Sequence, residues 1–305
     1  MRRNRRGRRR KISPVTVLVL LTAVAAVVWL IVPHRPQHLR RETKPVAEAS
    51  PVPTLAPPPT PRPRATPVPT RAPTAFPSVA APLPSGGKPA VAIVIDDCGQ
   101  WLSTERGYIA LPIPLTLAVL PYVRYTSLIA REAAAAGKGV MLHLPMEPIS
   151  HIYPGPGEIT TAMTDAQVAA QTEDDIAQVP LAAGVNNHEG SQATSDPRVM
   201  RAVMAVLKRH GLFFVDSMTI ATSVGVATAR RFGVPTAARD VFLDDRRSVA
   251  YTQRQLQIAV DIAKANGSAI AIGHPRPTTL EALREMYPKM EAEGVRFVLV
   301  QQLVH

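Results

Sequence analysis

From residue 90 onward, short apolar runs alternate with longer stretches in which apolar residues recur at helical spacing. The runs predict strands at residues 90–95, 115–119, 139–142, 184–186, 212–215, 235–238, 269–272 and 295–300, of which the sixth is the weakest. The stretches between them predict helices at residues 126–136, 164–178, 197–210, 223–232, 252–266 and 278–293. This alternation favours an α/β fold, a parallel (β/α) barrel of seven or eight strands.

Several predicted helices also have typical first or last residues. Thr164, with Gln167 three residues later, has the spacing of a capping box. Asp196 followed by Pro197 is typical of a helix start, and Gly211 is typical of a helix end. These local patterns support the helix boundaries independently of the apolar spacing.

Five of the apolar runs end in a polar motif that contains a histidine or an aspartate. In a parallel barrel, the carboxyl ends of all strands meet at one face. We therefore predict one shared site at that face, with Asp240, Asp244 and Asp245 following the weak sixth strand nearby. The predicted members of the site are Asp96, Asp97, His143, His188, Asp216 and His274.

The first 89 residues have a different composition. Residues 1–11 form a basic tail, which we expect to stay in the cytoplasm. Residues 12–32 contain an apolar run that would span ~27 Å as a helix, close to the thickness of a bilayer core. We predict a single-pass signal anchor here, with the rest of the chain extracytoplasmic; a cleaved signal peptide is the alternative. Residues 33–89 hold 17 of the 31 prolines and are predicted to be a disordered, extended linker.

The formal net charge of +12 comes from these first 89 residues. Residues 90–305 carry 19 Lys and Arg against 21 Asp and Glu, a net charge of −2. A nucleic-acid-binding domain needs a basic surface, so we exclude nucleic acid as a partner of the globular part. Cys98 is the single cysteine, and it therefore forms no intramolecular disulfide.

The residue types at the strand ends indicate a chemistry. One carboxylate and two imidazoles are a common open site for a divalent metal, and they favour zinc, although nickel, cobalt or manganese would also fit. A second carboxylate can deprotonate a water molecule, and a further histidine can protonate a leaving group. This set is typical of metal-assisted hydrolysis of an amide or ester.

Taken in order, the motifs resemble those of the divergent polysaccharide deacetylase family over roughly residues 88–305. The motifs are Ile95-Asp96-Asp97-x-Gly99, His143-Leu144-Pro145-Met146-Glu147-Pro148, Asn186-Asn187-His188-x-Gly190-Ser191, Phe213-Phe214-Val215-Asp216-Ser217, Arg239-Asp240-Val241-Phe242-Leu243-Asp244 and Gly273-His274-Pro275. The resemblance implies a cell-envelope glycan as substrate, N- or O-acetylated, and peptidoglycan is our expectation from the predicted location.

The resemblance also implies roles for individual residues. Asp96 would be the catalytic base, Asp97 a metal ligand and His274 the general acid. The standard deacetylases have a second metal-binding histidine four residues after the position of His188, but this chain has Gln192 there. We therefore expect the metal ligands Asp97, His143 and His188. Asp216 is expected to orient one of these catalytic groups.

Some assignments stay open at this point. Asn187 and Ser191 could bind sugar hydroxyls, or they could stabilise the turn around Gly190. A non-catalytic glycan-binding or scaffold protein on a degenerate barrel is the alternative to a hydrolase. A glycosidase would need two carboxylates ~5–9.5 Å apart and would leave the histidines without a role.

Overall fold

The computed structural model describes residues 87–305. The predicted basic tail, the membrane anchor and nearly all of the Pro-rich linker lie outside the described residues. Among residues 87–305, no helix is both long enough and apolar enough to cross a membrane.

The described residues form a parallel sheet surrounded by helices. The strands are β1 (Ala90–Cys98), β2 (Thr116–Val119), β3 (Gly139–Met146), β4 (Gly184–Glu189), β5 (Phe213–Asp216), β6 (Thr236–Ala238), β7 (Val241–Phe242), β8 (Ser268–Gly273) and β9 (Arg296–Val298). The helices are α1 (Leu102–Ile109), α2 (Thr126–Ala135), α3 (Asp165–Gln178), α4 (Pro197–His210), α5 (Gly225–Phe232), α6 (Val249–Asn266) and α7 (Pro277–Ala292). Two short 3-10 helices span Ala193–Ser195 and Val300–Gln302.

The strands follow the order β6-β5-β4-β3-β2-β1-β8-β7, and β9 pairs with β1. Every pairing is parallel, so the predicted parallel sheet is confirmed as an α/β half-barrel with eight strands along its path. β6 and β7 are consecutive pieces of one extended segment, separated by Arg239 and Asp240. Arg239 N donates to Asp216 O and Asp240 N donates to Ile270 O, so this segment joins the two ends of the sheet.

The two faces of the sheet bury different side chains, as the two-residue period of a strand requires. On β1, Val91, Ile93 and Ile95 pack towards the surrounding helices. The alternate residues of the same strand, among them Ala92 and Val94, pack into the interior of the half-barrel. All of these side chains are fully buried, so β1 lies at the centre of both parts of the core.

The segment after β9 covers the amino-terminal ends of the strands. β9 pairs with β1 along Ala90–Ala92, beside the part of β1 that precedes its pairing with β2. Farther on, His305 and Thr236 exchange backbone hydrogen bonds, which ties the segment to the start of β6. Val300 and Val304 are buried in the interior on the way. This end of the half-barrel is closed, so the opposite end is the one that can form a site.

The predicted helix ends are confirmed where a cap was recognised. Thr164 and Gln167 form a reciprocal capping box at the start of α3. The side chain of Asp196 accepts from the first backbone N–H groups of α4, and Gly211 ends that helix with a left-handed φ of 66°. The helix absent from the sequence-based prediction is α1, whose N-cap residue Trp101 makes no side-chain cap.

Candidate active site

Asp96 and Asp97 both reach the open mouth of the half-barrel because β1 is irregular there. In a regular strand, two consecutive side chains point to opposite faces. The register between β1 and β2 shifts between Ile95 and Cys98, so that β1 has one extra residue, as in a β-bulge. Asp97 has a φ of 56°, in the left-handed region that non-glycine residues seldom occupy. The bulge therefore turns a pair of neighbours into two groups of one site.

Asp97, His143 and His188 form a triangle of possible metal ligands. Asp97 Oδ1 lies 3.2 Å from His143 Nε2 and 2.9 Å from His188 Nδ1, and the two ring nitrogens are 3.1 Å apart. Although both nitrogens are close, Oδ1 is buried and no described residue gives it a well-directed hydrogen bond. Ligands of a tetrahedral metal with bonds of ~2.0–2.1 Å lie ~3.3 Å apart, so this donor set fits a divalent ion.

Asn186 fixes the orientation of two site residues at once. His143 Nδ1 donates to Asn186 Oδ1 at 2.9 Å, and Asn186 Nδ2 donates to Asp96 Oδ1 at 2.8 Å. These contacts follow from the sheet, because His143 and Asn186 are register partners on β3 and β4. A proton on Nδ1 leaves the Nε2 lone pair of His143 directed towards Asp97 and His188. Such a fixed tautomer is a common property of metal-binding histidines.

The charges of the triangle support one another. Burial by itself would raise the pKa of Asp97, but the close imidazoles of His143 and His188 outweigh it and hold the pKa well below its ordinary value. Burial by itself would lower the pKa of His143, but Asp96 and Asp97 outweigh it and raise the pKa to about 8. Asp97 is therefore ionised at neutral pH, as a metal ligand must be.

Asp96 lies deeper than Asp97 and has the opposite shift. Burial raises the pKa of Asp96, although His143 and His274 partly oppose this effect. Its Oδ1 is occupied by Asn186, while Oδ2 lies 3.7 Å from His143 Nε2. A buried carboxyl with a raised pKa accepts a proton more readily than an exposed one.

His274 stands at the end of β8 and is held by Asp244. Its Nδ1 lies 2.9 Å from Asp244 Oδ1, and its backbone N–H donates to Asp244 Oδ2 at 2.8 Å. The other nitrogen, Nε2, faces the site at 3.8 Å from Asp97 Oδ2. Burial by itself would lower the pKa of His274, but the contact with Asp244 outweighs it and raises the pKa. The imidazole is thus oriented and biased towards its protonated form.

Asp216 does not join these groups. It shares the outward face of β5 with Phe214, two residues earlier, and is buried behind the sheet. Its Oδ1 accepts from Met218 N at 2.9 Å and its Oδ2 accepts from Ser223 Oγ at 2.6 Å. The contacts of Asp216 are those of a turn-stabilising residue, and the carboxylate that orients a site histidine is Asp244.

Asn187 and Ser191 are engaged in local structure. Asn187 borders the mouth, but its Oδ1 accepts from Ser217 N at 2.9 Å and its Nδ2 donates to Glu189 O at 2.8 Å. Ser191 Oγ accepts from Ile149 N at 2.9 Å, which holds the loop after β3. Both contacts agree with the turn-stabilising alternative, and a sugar-binding role for these residues stays a prediction.

The triangle opens into a cavity of about 760 Å³, which we call the main cavity. Arg239 forms part of its wall, and its guanidinium is fixed by hydrogen bonds to the backbone oxygens of Ser217 and Met218. The cavity is large enough for a sugar ring with its acetyl group. Asp96, Asp97, His143, His188 and His274 all line it, so the predicted residues that meet here can reach one bound molecule.

Comparison with known proteins now places the chain. A model of the divergent polysaccharide deacetylase family matches residues 93–304. The chain belongs to that family. A protein of Haemophilus influenzae Rd is 40% identical over 194 residues, which are 64% of this chain and 69% of that protein. The Escherichia coli K12 protein YibQ is 38% identical over 196 residues, 64% of this chain and 61% of YibQ.

A solved structure of a protein from Agrobacterium tumefaciens C58 has a similar fold. It superposes with a TM-score of 0.68 at 24% identity and covers 74% of this chain and 93% of that one. The likeness concerns the fold alone.

This divergent deacetylase departs from the standard ligand spacing in a way that the structure shows directly. Gln192 stands four residues after His188, and its Nε2 donates to Thr161 Oγ1, away from the triangle. His143, which comes from the neighbouring strand, lies where the second imidazole was expected. Polysaccharide deacetylases are typically metal-dependent, and the donors of this chain suit a metal without a histidine at position 192.

Two residues of the family site had no assigned role in the sequence. Asn186 lies within a quoted motif, but its link to His143 depends on strand register, which one sequence does not reveal. Asp244 was placed near the site without a partner. It meets His274 because β7 pairs with β8, and β7 is a two-residue strand that the apolar pattern did not predict.

Proposed function

We propose that this protein is an extracytoplasmic, metal-dependent hydrolase that removes acetyl groups from a cell-envelope polysaccharide, with peptidoglycan as the expected substrate. The observation that supports this most strongly is the triangle of Asp97, His143 and His188 with its unsatisfied buried oxygen. Membership of the family supports a polysaccharide as substrate. The location and the peptidoglycan assignment rest on the predicted anchor in residues 12–32.

The metal is held in this proposal by Asp97 Oδ1, His143 Nε2 and His188 Nδ1, and zinc is preferred. It would supply Lewis-acid polarisation of the acetyl carbonyl and activation of a water molecule. Asn186 keeps the tautomer of His143 that offers Nε2, and the ionised state of Asp97 provides the negative charge of the site.

Asp96 is the proposed general base. Because Asn186 occupies Oδ1, the oxygen that accepts the proton of the attacking water is Oδ2. Burial raises the pKa of Asp96, which makes the carboxylate a stronger base than an exposed aspartate. The position of Asp96 beside the triangle places this oxygen next to the water that it would deprotonate.

His274 is the proposed general acid. Asp244 binds Nδ1, so the proton available to the leaving amine or alkoxide is the one on Nε2, which faces the site. The raised pKa of His274 keeps this proton in place until the carbon–nitrogen or carbon–oxygen bond breaks. Acetate and a free amine or hydroxyl group on the glycan are the products.

The test is metal content and acetate release of the purified full chain. We expect about one divalent ion per wild-type chain, retained in His151→Ala, an exposed-histidine control, and lost in His188→Ala. Asp96→Asn should keep the metal and lose acetate release from acetylated peptidoglycan. A wild-type chain that takes up no metal after incubation with zinc contradicts the proposal and favours the non-catalytic glycan-binding alternative.

A further inference from the structure

A second cavity of about 460 Å³ adjoins the main cavity, and we call it the side groove. The two share Asp97, His274 and Arg276, so a molecule that occupies one can extend into the other past the proposed metal ligand and acid. The side groove is otherwise lined by Trp101, Thr104, Arg247, Pro275, Pro277 and Thr278. The proposed hydrolase has not used any of these six residues.

Trp101 is exposed and yet held in place. Its side chain is 49% exposed, which is unusual for so large an apolar group. Its backbone N–H donates to Glu105 Oε1 at 2.8 Å, and the same buried oxygen accepts from Gly99 N and Gln100 N. One carboxylate thus fixes the whole loop between Asp97 and α1. A flat ring on a fixed backbone suits stacking against the C–H face of a sugar ring.

The two cavities differ in charge. Five carboxylates and two arginines line the main cavity, which favours a neutral acetylated sugar or its cationic amine product over an anionic group. The side groove has one carboxylate, that of Asp97, and two arginines. Arg276 donates to Asp244 O, but Arg247 is exposed and makes no hydrogen bond or ion pair with any residue in 87–305. A free guanidinium here can bind a carboxylate in a forked geometry.

We propose that the side groove is a second sugar subsite, which stacks the unit next to the acetylated one on Trp101 and binds a carboxylate of that unit through Arg247. The inference rests on the proposed function and narrows it to glycans in which a carboxylated sugar adjoins an N-acetylated one. Thr104 and Thr278 offer hydroxyl groups to the same ring.

Binding can be measured without turnover. Trp101 and Trp29 are the two tryptophans of the chain, so Trp101 is the single fluorophore of this kind in the full-length Trp29→Phe protein. The probes are a neutral β-1,4-linked N-acetylglucosamine oligosaccharide, an equally long one in which alternate units carry a lactyl carboxylate, and one with phosphate in place of that carboxylate. We expect the carboxylated probe to change Trp101 emission and to bind about tenfold tighter than the neutral one.

Arg247→Gln should remove this preference, whereas Arg231→Gln, an exposed arginine on α5, should keep it. Equal affinity for the neutral and carboxylated probes, or a preference that survives Arg247→Gln, would overturn the proposal, as would tight binding of the phosphate probe alone. By calorimetry, Trp101→Ala should weaken binding of every probe while the metal content stays unchanged. Carboxylate-selective binding without acetate release contradicts the hydrolase only, and acetate release without that selectivity contradicts the subsite only.

Discussion

Asp244 holds His274 at two points, because one carboxylate oxygen faces ring nitrogen Nδ1 and the other accepts the backbone N–H of the same residue. Thr279 Oγ1 donates to the second oxygen at 2.8 Å, so the fully buried carboxylate is itself fixed. The position of the proposed acid is thus set by a residue on β7's side of the sheet seam.

Replacing this carboxylate tests the role of the pair. Asp244→Asn should lower kcat for deacetylation by about 10²-fold or more, because an amide neither orients nor stabilises the protonated imidazole equally well. The alkaline limb of the pH profile should move to lower pH, and metal content should not change. Asp261→Asn, an exposed substitution on α6, is the control. An unchanged profile would mean that His274 is not the group that donates the proton.

The amide of Asn186 offers a second test. Asn186→Ala removes the acceptor of the His143 Nδ1 proton and the donor to Asp96. Loss of such an orienting partner typically weakens metal affinity by ~10–100-fold. Competition with a chromogenic chelator measures this affinity, and Asn266→Ala, at the exposed end of α6, is a suitable comparison. Wild-type zinc affinity in Asn186→Ala would show that the tautomer of His143 is set by some other group.

Asp216 should behave as a structural residue. Asp216→Asn weakens hydrogen bonds to Met218 and Ser223 and should lower the free energy of unfolding by ~1–3 kcal/mol. Metal content and the pH profile of the remaining activity should match the wild type. Urea denaturation and metal analysis separate the two effects. A selective loss of activity at wild-type stability would restore the catalytic role that the sequence suggested.

Asp175 is expected to make stability depend on pH. Burial raises the pKa of this carboxyl to about 7, although Gln171 donates to its Oδ1, and its Oδ2 has no partner among the described residues. Between its ordinary value near 3.8 and about 7, the folded state holds a proton that the unfolded state has released. Stability therefore falls as the pH rises through this window and then levels off.

Asp175→Asn removes the titrating group. The variant should match the wild type near pH 4 and exceed it at pH 8, by an amount on the order of 2–4 kcal/mol. The free energy of unfolding from urea titrations across this range is the measurement. A constant difference between the two proteins at every pH would show that Asp175 does not carry the dependence.

Local pattern was enough to predict most of the described fold. Period-two apolar runs and helix caps such as Thr164 and Asp196 depend on neighbours in sequence, and their elements form as expected. α1 and β7 were missed because one lacks a cap and the other has two residues, so tertiary contacts decide both.

The site divides along the same line. The carboxyl ends of parallel strands converge by topology, which brought Asp97, His143 and His188 together as predicted from their positions. The direction of a side chain depends on strand parity, and Asp216 shares its parity with the outward-facing Phe214. The partners Asn186 and Asp244 depend on register between strands, which needs pairings that a single sequence does not contain.

The segment that closes the amino-terminal end of the half-barrel sets the order in which the molecule can be completed. Residues 296–305 are the last described residues to leave the ribosome, yet they pair with the start of β1, made some two hundred residues earlier, and with β6. Until they emerge, two strand starts lack partners and the interior lacks Val300 and Val304. The fold is therefore completed only after synthesis, so a nascent chain stays incompletely folded throughout elongation, in a state suited to being threaded across a membrane.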